Sequence, residues 1–414
     1  MSCFVLSCVA FVLSAAPASD WTEFRGSTGQ GHADVSGLPL TWSETENVAW
    51  KVPIAGKGWS SPVVTGDRIY LTTGVAAESG GTDLRVLCLK ANDGSSVWDV
   101  SVFTTEKAGE IHDKNSQASP TPIILDDRIY VHFGPHGTAC LKSDGSIVWK
   151  NQKLTYSPQH GNGGSPAIWN DVIVICCDGR DARFVAGLNR KTGEEIWRTE
   201  RELEPSRGFS FCTPLILTDA DRTQAICPGS GGVWSYDPAT GKQLWRVAYG
   251  EGYSVVPRPV AGHGLVYVCS GFGDGQLFAI DPTGSGDVTE SHIRWKIKKG
   301  VPKSPSVLLL GNEIYMVDDN GVASCLDALT GEPVWQQRLT GGFSASPVDA
   351  DGHVWFQNET GVTTVIQPGR EFVRIAENSI GDGKTRTFAS FAFVQNAILL
   401  RSETALYRLQ TAQR

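Results

Sequence analysis

The chain has 414 residues, among them 46 glycines, 13 tryptophans and 2 methionines, and its formal net charge is -8 at pH 7. This composition is typical of a protein built from short strands and tight turns, and helix-period patterns are absent from the sequence. The negative charge and the scattered lysines form no basic stripe, which argues against nucleic acid as a partner.

The first 18 residues have the character of a secretory signal. Cys3 to Ala15 is apolar and is followed by the small-x-small sequence Ala16-Pro17-Ala18. We therefore expect cleavage after Ala18 and a periplasmic or secreted protein. The apolar stretch is too short to span a bilayer, and no later stretch of the sequence qualifies as a transmembrane segment. Val5-Leu6-Ser7-Cys8 loosely resembles a lipoprotein box, so lipid anchoring stays open.

A short motif ending in proline recurs about every 46 residues, an interval that fits a four-stranded propeller blade. The motif occurs as Ser60-Ser61-Pro62, Ala118-Ser119-Pro120, Gly164-Ser165-Pro166, Cys212-Thr213-Pro214, Pro257-Arg258-Pro259, Lys303-Ser304-Pro305 and Ala345-Ser346-Pro347, with Ala389-Ser390-Phe391 as a weaker eighth. Each motif is followed by apolar strands, and in five units an Asp-Gly or Thr-Gly pair before the tryptophan supplies the positive φ of a short hairpin turn. Each unit therefore predicts four antiparallel strands, a to d.

A tryptophan marks strand d in six of the units, and a degenerate strand d lies around Phe372. Eight a-b-c sets are present but only seven d strands follow them, and Asn47 to Val52, which carries Trp50, supplies the missing strand. An N-terminal strand that completes the last blade closes the ring and removes two open sheet edges. The sequence therefore predicts an all-β, eight-bladed β-propeller at residues 47–410, after a signal peptide (1–18) and an N-terminal extension (19–46).

Eight cysteines remain after the signal, and an exported protein would normally pair them. Cys88, Cys140 and Cys325 instead share one position of the repeat, where other units place alanine or serine. A small buried side chain suits that position, so we expect free thiols inside the blades. For the adjacent Cys176 and Cys177, two thiols on opposite faces of a strand and a strained vicinal disulfide are both open.

Three segments carry a family resemblance: Ser235-Tyr236-Asp237 through Trp245, Ala279-Ile280-Asp281-Pro282-Thr283-Gly284, and Cys325-Leu326-Asp327 through Trp335. They resemble the A-x-D-x-x-T-G-x-x-x-W repeat of PQQ-type (quinoprotein-like) propellers. The resemblance implies that each tryptophan docks on the neighbouring blade near the glycine of the turn. The docking residues would be Trp50, Trp98, Trp149, Trp197, Trp245, Trp295 and Trp335. The family includes both quinoprotein alcohol dehydrogenases and non-catalytic BamB-like factors, so the resemblance implies the fold and leaves the activity open.

Candidate binding residues come from connections on one face. In an antiparallel blade the d-to-a and b-to-c connections emerge on the same side, here called the loop face, and such loops carry binding residues. The candidate ligand-binding residues are His112, Asn115, His136, His160, Asp178, Asp181 and Arg258. The aromatic residues expected near the channel mouth are Trp59, Phe209, Phe211, Tyr253, Phe343 and Phe388. Ordinary solvated turns and blade-sealing aromatics are the alternative for each of them.

Three functions are compatible with this face. The first is an exported, BamB-like, non-catalytic scaffold that binds a protein or another cell-envelope ligand, with no cofactor expected. The alternative is a PQQ- and calcium-dependent dehydrogenase, in which Asp178 or Asp181 would act with Asn115. A carbohydrate-active enzyme would use Asp178 and Asp181 as paired carboxylates. The three loop histidines match no known ligand spacing, so no metal site is expected.

Overall fold

The structure is a computed structural model that describes residues 20–78, 80–107, 110–219 and 222–412. The predicted signal peptide, residues 1–18, lies outside the described residues. Eight antiparallel sheets of a, b, c and d strands follow one another along the chain. The eight-bladed propeller predicted from the repeat is confirmed.

The first four blades each have their own four strands in sequence order. Blade 1 is formed by Val63–Thr65, Arg68–Ala76, Thr82–Lys90 and Ser96–Thr104. Blade 2 is formed by Ile123–Leu125, Arg128–His132, Thr138–Lys142 and Ile147–Asn151, with a short 3-10 helix at Gly134–His136. Blade 3 is formed by Ala167–Trp169, Val172–Asp178, Arg183–Asn189 and Glu195–Glu200. Blade 4 is formed by Leu215–Thr218, Thr223–Gly229, Gly232–Tyr236 and Gln243–Ala248.

The last four blades include the one that closes the ring. Blade 5 is formed by Val260–Gly262, Leu265–Cys269, Leu277–Ile280 and Ile293–Ile297. Blade 6 is formed by Leu308–Leu310, Glu313–Val317, Val322–Asp327 and Pro333–Arg338. Blade 7 is formed by Val348–Ala350, His353–Gln357, Val362–Gln367 and Val373–Ser379. Blade 8 is formed by Ala392–Val394, Ala397–Arg401, Ala405–Gln410 and, from the N-terminus, Val48–Pro53.

The N-terminal strand closes the ring as predicted. Val48–Pro53 pairs antiparallel with Ala405–Gln410 and becomes strand d of blade 8. Strand c of blade 8, Ala405–Gln410, would otherwise have an open outer edge. Residues more than 350 positions earlier in the chain cover that edge. Apolar side chains of adjacent blades pack against each other, so the core lies between the sheets rather than at one centre.

A ring of equivalent residues stands two positions before each strand a, where the chain enters the channel wall. Its members are Ser61, Thr121, Ser165, Thr213, Arg258, Ser306, Ser346 and Ser390. In six cases the backbone N–H of one member donates to the hydroxyl of the member in the next blade, at 2.9–3.0 Å. In blades 2 and 6 the motif therefore lies at Thr121-Pro122 and Ser306-Val307. The sequence analysis placed it two residues earlier, which is wrong because the a strands of these blades begin at Ile123 and Leu308.

Six of the seven repeat tryptophans donate the indole N–H to a backbone carbonyl of the next blade, at 2.8–3.2 Å. The pairs are Trp50 with Ala91, Trp98 with Ser143, Trp149 with Arg190, Trp197 with Pro238, Trp295 with Ala328 and Trp335 with Gly369. The glycine of the turn in the next blade leaves room for the indole. A Cβ on Gly193 would lie 2.4 Å from the indole of Trp149. At that distance only glycine allows the two blades to approach so closely.

Trp245 departs from this pattern. Its indole N–H donates to Oε1 of Gln224 in its own blade, 2.7 Å away, and the side chain is fully buried. The short strand Gly286–Asp287, from an extended connection in blade 5, pairs parallel with strand d of blade 4 and lies directly beside Trp245. The neighbouring blade therefore covers Trp245 with a strand, whereas the other six tryptophans bond to a turn carbonyl.

All eight described cysteines are free thiols in the structure. Seven of them are buried, including Cys177, whereas Cys176 is half-buried. Alternation along strand b of blade 3 turns Cys176 and Cys177 to opposite faces, and they pack in different apolar clusters. This arrangement matches free thiols in the blade interiors rather than a vicinal disulfide.

The residues before the closing strand enter the ring. Residues 20–33, here called the channel segment, run along the inner strands of several blades. Trp21 forms an antiparallel bridge with Val64 of blade 1, and the carbonyl of Thr22 accepts a hydrogen bond from Ile124 of blade 2. His32–Ala33 then pairs parallel with strand a of blade 7. The channel segment therefore crosses the channel from one side of the ring to the other.

Candidate functional site

A cavity of about 350 Å³ lies where the d-to-a connections meet at the channel mouth, and Phe24 of the channel segment contributes to its lining. Six hydroxyl residues of the ring at the start of the a strands face it: Ser61, Thr121, Ser165, Thr213, Ser346 and Ser390. Its aromatic lining consists of Phe24, Trp59, Phe209, Phe211, Tyr253, Phe272 and Phe388. Aromatic walls with a few polar groups are typical of a ligand site.

The aromatic side chains form two connected groups. The rings of Trp59 and Phe388 lie 4.7 Å apart between their centroids. On the other wall, Phe209 lies 5.7 Å from Tyr253 and 5.4 Å from the imidazole of His160. These spacings are those of packed aromatic pairs, so the walls are held in place by their own contacts.

His112 and His160 meet at the cavity. Their rings lie 5.4 Å apart in a T-shaped arrangement, and the backbone N–H of His112 donates to the carbonyl of His160. Asn115 fixes the same carbonyl through its side-chain amide, at 2.9 Å. Burial, with the nearby His112 and Arg180, holds the pKa of His160 below its usual value. Both imidazoles and the Asn115 side chain line the cavity, as expected from the loop-face argument.

Two cations complete the lining. Lys114 forms an ion pair with Glu359 of blade 7, with 2.6 Å between Nζ and Oε1, and this ties the first d-to-a loop to that blade. The guanidinium of Arg207 stacks over the ring of Tyr253 at 4.7 Å and donates to its hydroxyl at 3.0 Å. No aspartate or glutamate is among the described residues that line the cavity. The cavity is therefore aromatic and rich in hydroxyls, and of its two cations Lys114 is neutralised by Glu359.

Four of the seven predicted ligand residues do not line the cavity, and three of them, His136, Asp181 and Asp178, have other partners. His136 is half-buried, and its Nε2 lies 3.2 Å from Oε1 of Gln117 rather than at the cavity. Asp181 accepts hydrogen bonds from the backbone and the hydroxyl of Ser157, and so braces a turn. Asp178, expected in an exposed turn, is the last residue of a buried strand. The loop assignment was wrong for Asp178 because strand b of blade 3 continues one residue further than its apolar run.

Asp178 instead belongs to a buried ion pair. Its Oδ1 lies 3.0 Å from Nε of Arg201, and both side chains are 1% exposed. The Arg201 guanidinium also lies over the ring of Trp234. Burial raises the pKa of Asp178 to about 6, although Arg201 and Arg183 act to lower it. The pair joins blades 3 and 4, and it leaves this carboxylate shielded from a ligand in the cavity.

Arg258 is also not a cavity residue. It takes the place of a hydroxyl in the ring, is 2% exposed, and its guanidinium points into the channel segment. There it donates to the carbonyl of Phe24 at 2.6 Å and lies 3.3 Å from a carboxylate oxygen of Glu23. Its role in the structure is to hold the channel segment.

Some lining residues were missed in the sequence analysis. Arg207 stands in the same d-to-a loop as Phe209, and this position could have identified it. Phe272 follows strand b of blade 5 and could have been found by the same argument. Phe24 could not, because the extension has no repeat to show that it enters the channel. Phe343, expected at the mouth, is buried in the core between blades 6 and 7.

The lining does not match a calcium and quinone site. Such a site needs at least one carboxylate ligand for the ion. Asp178 is paired with Arg201, and the side-chain oxygen of Asn115 already accepts hydrogen bonds from Ser116 and Ser119. Over residues 20–78, 80–107, 110–219 and 222–412, no group of three metal-binding side chains is found.

Over the same residues, no helix is long and apolar enough to cross a membrane.

Known proteins resemble the chain in sequence. Outer membrane protein assembly factor BamB of Burkholderia pseudomallei is 26% identical over 291 residues, which cover 67% of this chain and 64% of that protein. Methanol dehydrogenase (cytochrome c) subunit 1 of Methylorubrum extorquens is 28% identical over 159 residues, which cover 32% of this chain and 23% of that subunit. The chain thus spans less than two thirds of the length of either relative.

Solved structures and a family model extend the comparison. BamB from Moraxella catarrhalis superposes with a TM-score of 0.61 at 15% identity, covering 89% of this chain and 98% of that one. A europium-containing methanol dehydrogenase also gives 0.61, at 11% identity, covering 92% and 89%. These two matches show the fold alone. A family model described as outer membrane protein assembly factor BamB matches residues 34–180, 181–289 and 292–370. Because this match extends over most of the chain, the chain belongs to that family of PQQ-repeat propellers.

Proposed function

We propose that the chain is an exported, non-catalytic scaffold of the cell envelope that binds a segment of another protein in the loop-face cavity. The observation that carries the proposal is the lining: aromatic walls, a ring of hydroxyls and the cations Lys114 and Arg207, without a carboxylate among the described lining residues. Such a surface offers contacts for binding but, among the described lining residues, no carboxylate that could bind calcium or take the proton of an alcohol.

The lining also indicates the chemistry of the segment. Phe209, Tyr253 and Trp59 offer flat apolar faces that suit aromatic or aliphatic side chains. Arg207 carries a positive charge at an exposed position, which suits an acidic side chain. Because the chain as a whole is negatively charged, Arg207 also marks a place where an acidic segment would meet less repulsion than elsewhere on the protein.

The channel segment limits how the partner enters. Phe24 lines the cavity, and residues 20–33 cross the channel behind it. A partner therefore enters and leaves from the loop face and is not threaded through the ring. A peptide loop or a chain end fits this geometry.

Location in the cell envelope rests on two supports. The sequence predicts cleavage after Ala18, and a relative that aligns over 67% of this chain is named as an assembly factor of outer membrane proteins. Neither support identifies the partner. N-terminal sequencing of the protein secreted from its own host tests the cleavage, and a chain that still begins at Met1 would contradict export by this signal.

Selection from a phage-displayed library of random peptides tests the binding function. We expect enrichment of peptides with aromatic and acidic residues on the wild-type protein, and loss of their binding on Arg207→Ala and Tyr253→Ala. Arg374→Ala is the matched control, since Arg374 is an exposed arginine on the outer strand of blade 7. Peptides that bind all variants equally, or no enrichment at all, would contradict recognition in this cavity.

The dehydrogenase is the second candidate, favoured by the sequence similarity to a methanol dehydrogenase subunit. Addition of PQQ and calcium chloride to the purified protein, followed by absorbance and by alcohol-dependent dye reduction, tests it directly. We expect no saturable spectral change and no dye reduction, because the cavity offers no carboxylate for the ion. Calcium-dependent turnover of an alcohol would overturn the scaffold proposal.

A further inference from the structure

The channel segment contains a buried arginine with unused donors. Arg25 is 0% exposed, and its Nη2 donates to the carbonyls of Gln30 and Val307 at 2.9 and 2.8 Å. Its Nε and Nη1 have no acceptor among the described residues. Buried donors almost always have a partner, and those that lack one within the protein call for a water molecule or an ion.

The charges around Arg25 do not balance. Arg258 is a second buried guanidinium, and the only described ion pair of either arginine is the one between Arg258 and Glu23. Burial, together with the positive charge of Arg258, lowers the pKa of Arg25 to about 9, so Arg25 stays protonated at neutral pH. Two positive charges therefore share one carboxylate inside the channel. A buried charge without a counter-charge is strongly unfavourable.

The backbone is shaped to place Arg25 there. Arg25 has a positive φ of 68°, which is uncommon for a residue other than glycine. A Cβ on Gly31 would lie 2.6 Å from Nη2 of Arg25, and a Cβ on Gly29 would lie 2.3 Å from Nη1 of Arg258. The glycines of this segment therefore make room for both guanidinium groups. An uncommon backbone conformation such as the positive φ of Arg25 is found more often at ligand-binding and active sites than elsewhere.

We propose that a small monovalent anion, with chloride as the representative, binds inside the channel against the Nε and Nη1 groups of Arg25. A water molecule would accept the hydrogen bonds but would leave the positive charge uncompensated, whereas a halide does both. The site lies in the channel segment behind Phe24 and is separate from the cavity. It does not depend on what the cavity binds.

Arg401 is another buried arginine of this fold, and fewer of its donors lack an acceptor than in Arg25. It is 1% exposed and has no described carboxylate partner, but its Nη1 donates to the backbone and hydroxyl oxygens of Ser60, and its Nη2 donates to the carbonyl of Thr72. Only its Nε lacks an acceptor. Arg401 is therefore the matched control for a buried arginine that is not near a second one.

Anomalous diffraction from crystals of the wild-type protein soaked in sodium bromide tests the site without a mutation. We expect a bromide peak in contact with the Arg25 guanidinium. Bromide only on the surface, or a water molecule in contact with Nε and Nη1, would overturn the proposal.

Thermal unfolding provides the second test. At constant ionic strength, replacing sodium gluconate with sodium chloride should raise the Tm of the wild type by a saturable amount on the order of a few degrees, as for a ligand of the folded state. Arg25→Met should abolish the chloride effect, whereas Arg401→Met should retain it at a lower Tm. If Arg25→Met does not fold, the wild-type comparison still decides: equal Tm values in the two salts would contradict the anion site.

Discussion

The indole N–H of Trp50 donates to the backbone carbonyl of Ala91 at 3.0 Å, and this bond links the closing strand of blade 8 to blade 1. The strand that carries Trp50 also pairs along its length with Ala405–Gln410. One short segment therefore seals the ring twice, by a sheet ladder on one side and by a docking tryptophan on the other.

Removal of residues 20–56 should destabilise the whole ring. The deletion exposes the edge of Ala405–Gln410 and removes the channel segment, so we expect aggregation or a large fall in Tm. Size-exclusion chromatography and thermal melting measure the effect, with Ala49→Ser, an exposed position on the same strand, as the control. A deletion variant that melts like the wild type would contradict closure by this strand.

The fold was predictable because the pattern of strands that forms one blade recurs eight times in the sequence. Most units repeat the turn glycine and the tryptophan, and a missing strand at one end matches a surplus strand at the other. Even so, the register of two motifs was displaced, since Ser119-Pro120 and Thr121-Pro122 look alike and only the start of the strand at Ile123 separates them.

The site was only partly predictable, for a physical reason. His112, Asn115 and His160 follow directly from loop position, because connections of neighbouring blades emerge side by side. Burial of Asp178 depends on Arg201, more than 20 residues later and in a connection that no repeat describes. The position of Arg258 similarly depends on the channel segment, whose path is set by contacts with many blades rather than by a local pattern.

Trp245→Ala should be the most damaging substitution among the seven repeat tryptophans. Trp245 is fully buried under Gly286–Asp287, so we expect a loss of about 3–5 kcal/mol in the free energy of unfolding. Trp98 is half-buried, and Trp98→Ala should cost less. Urea denaturation of both variants measures the difference. Equal losses would show that packing around Trp245 is not special.

The thiols should react slowly in the folded protein. Burial holds the pKa of Cys177 and Cys227 well above the usual range, so little reactive thiolate forms near pH 8. We expect a thiol reagent to modify half-buried Cys176 first in native protein, and to modify all eight cysteines of the chain from residue 19 once it is unfolded without reductant. Mass spectrometry counts the adducts. Fewer than eight in the unfolded protein would reveal disulfides.

Asp178 should make stability depend on pH below about 6. Its pKa in the folded protein, about 6, is raised from 3.8, so the folded state binds the proton more tightly than the unfolded state does. The stabilisation due to this group is thus present at low pH and is lost as pH rises from about 4 to about 6. The free energy of unfolding of the wild type should fall relative to that of Asp178→Asn across this window. Above about pH 6 the difference between the two proteins should stay constant. Denaturant melts at pH 4, 5, 6 and 7 test the sign, and a wild type that gains stability relative to Asp178→Asn as the pH rises would refute it.

Binding of an acidic peptide from the proposed selection should tighten as pH falls below about 6.5. His160 faces the cavity, and burial keeps its pKa below its usual value, so the free protein holds this imidazole neutral near pH 7. A bound carboxylate favours the imidazolium, so proton uptake and peptide binding should support each other at acid pH. Calorimetric titrations at about pH 5.5, 6.5 and 7.5 measure the affinity.

His160→Gln should flatten the dependence of affinity on pH. His263→Gln should leave it unchanged, because His263 lies on an exposed turn and contacts Gly311. An unaltered profile in His160→Gln would place the partner away from this wall of the cavity.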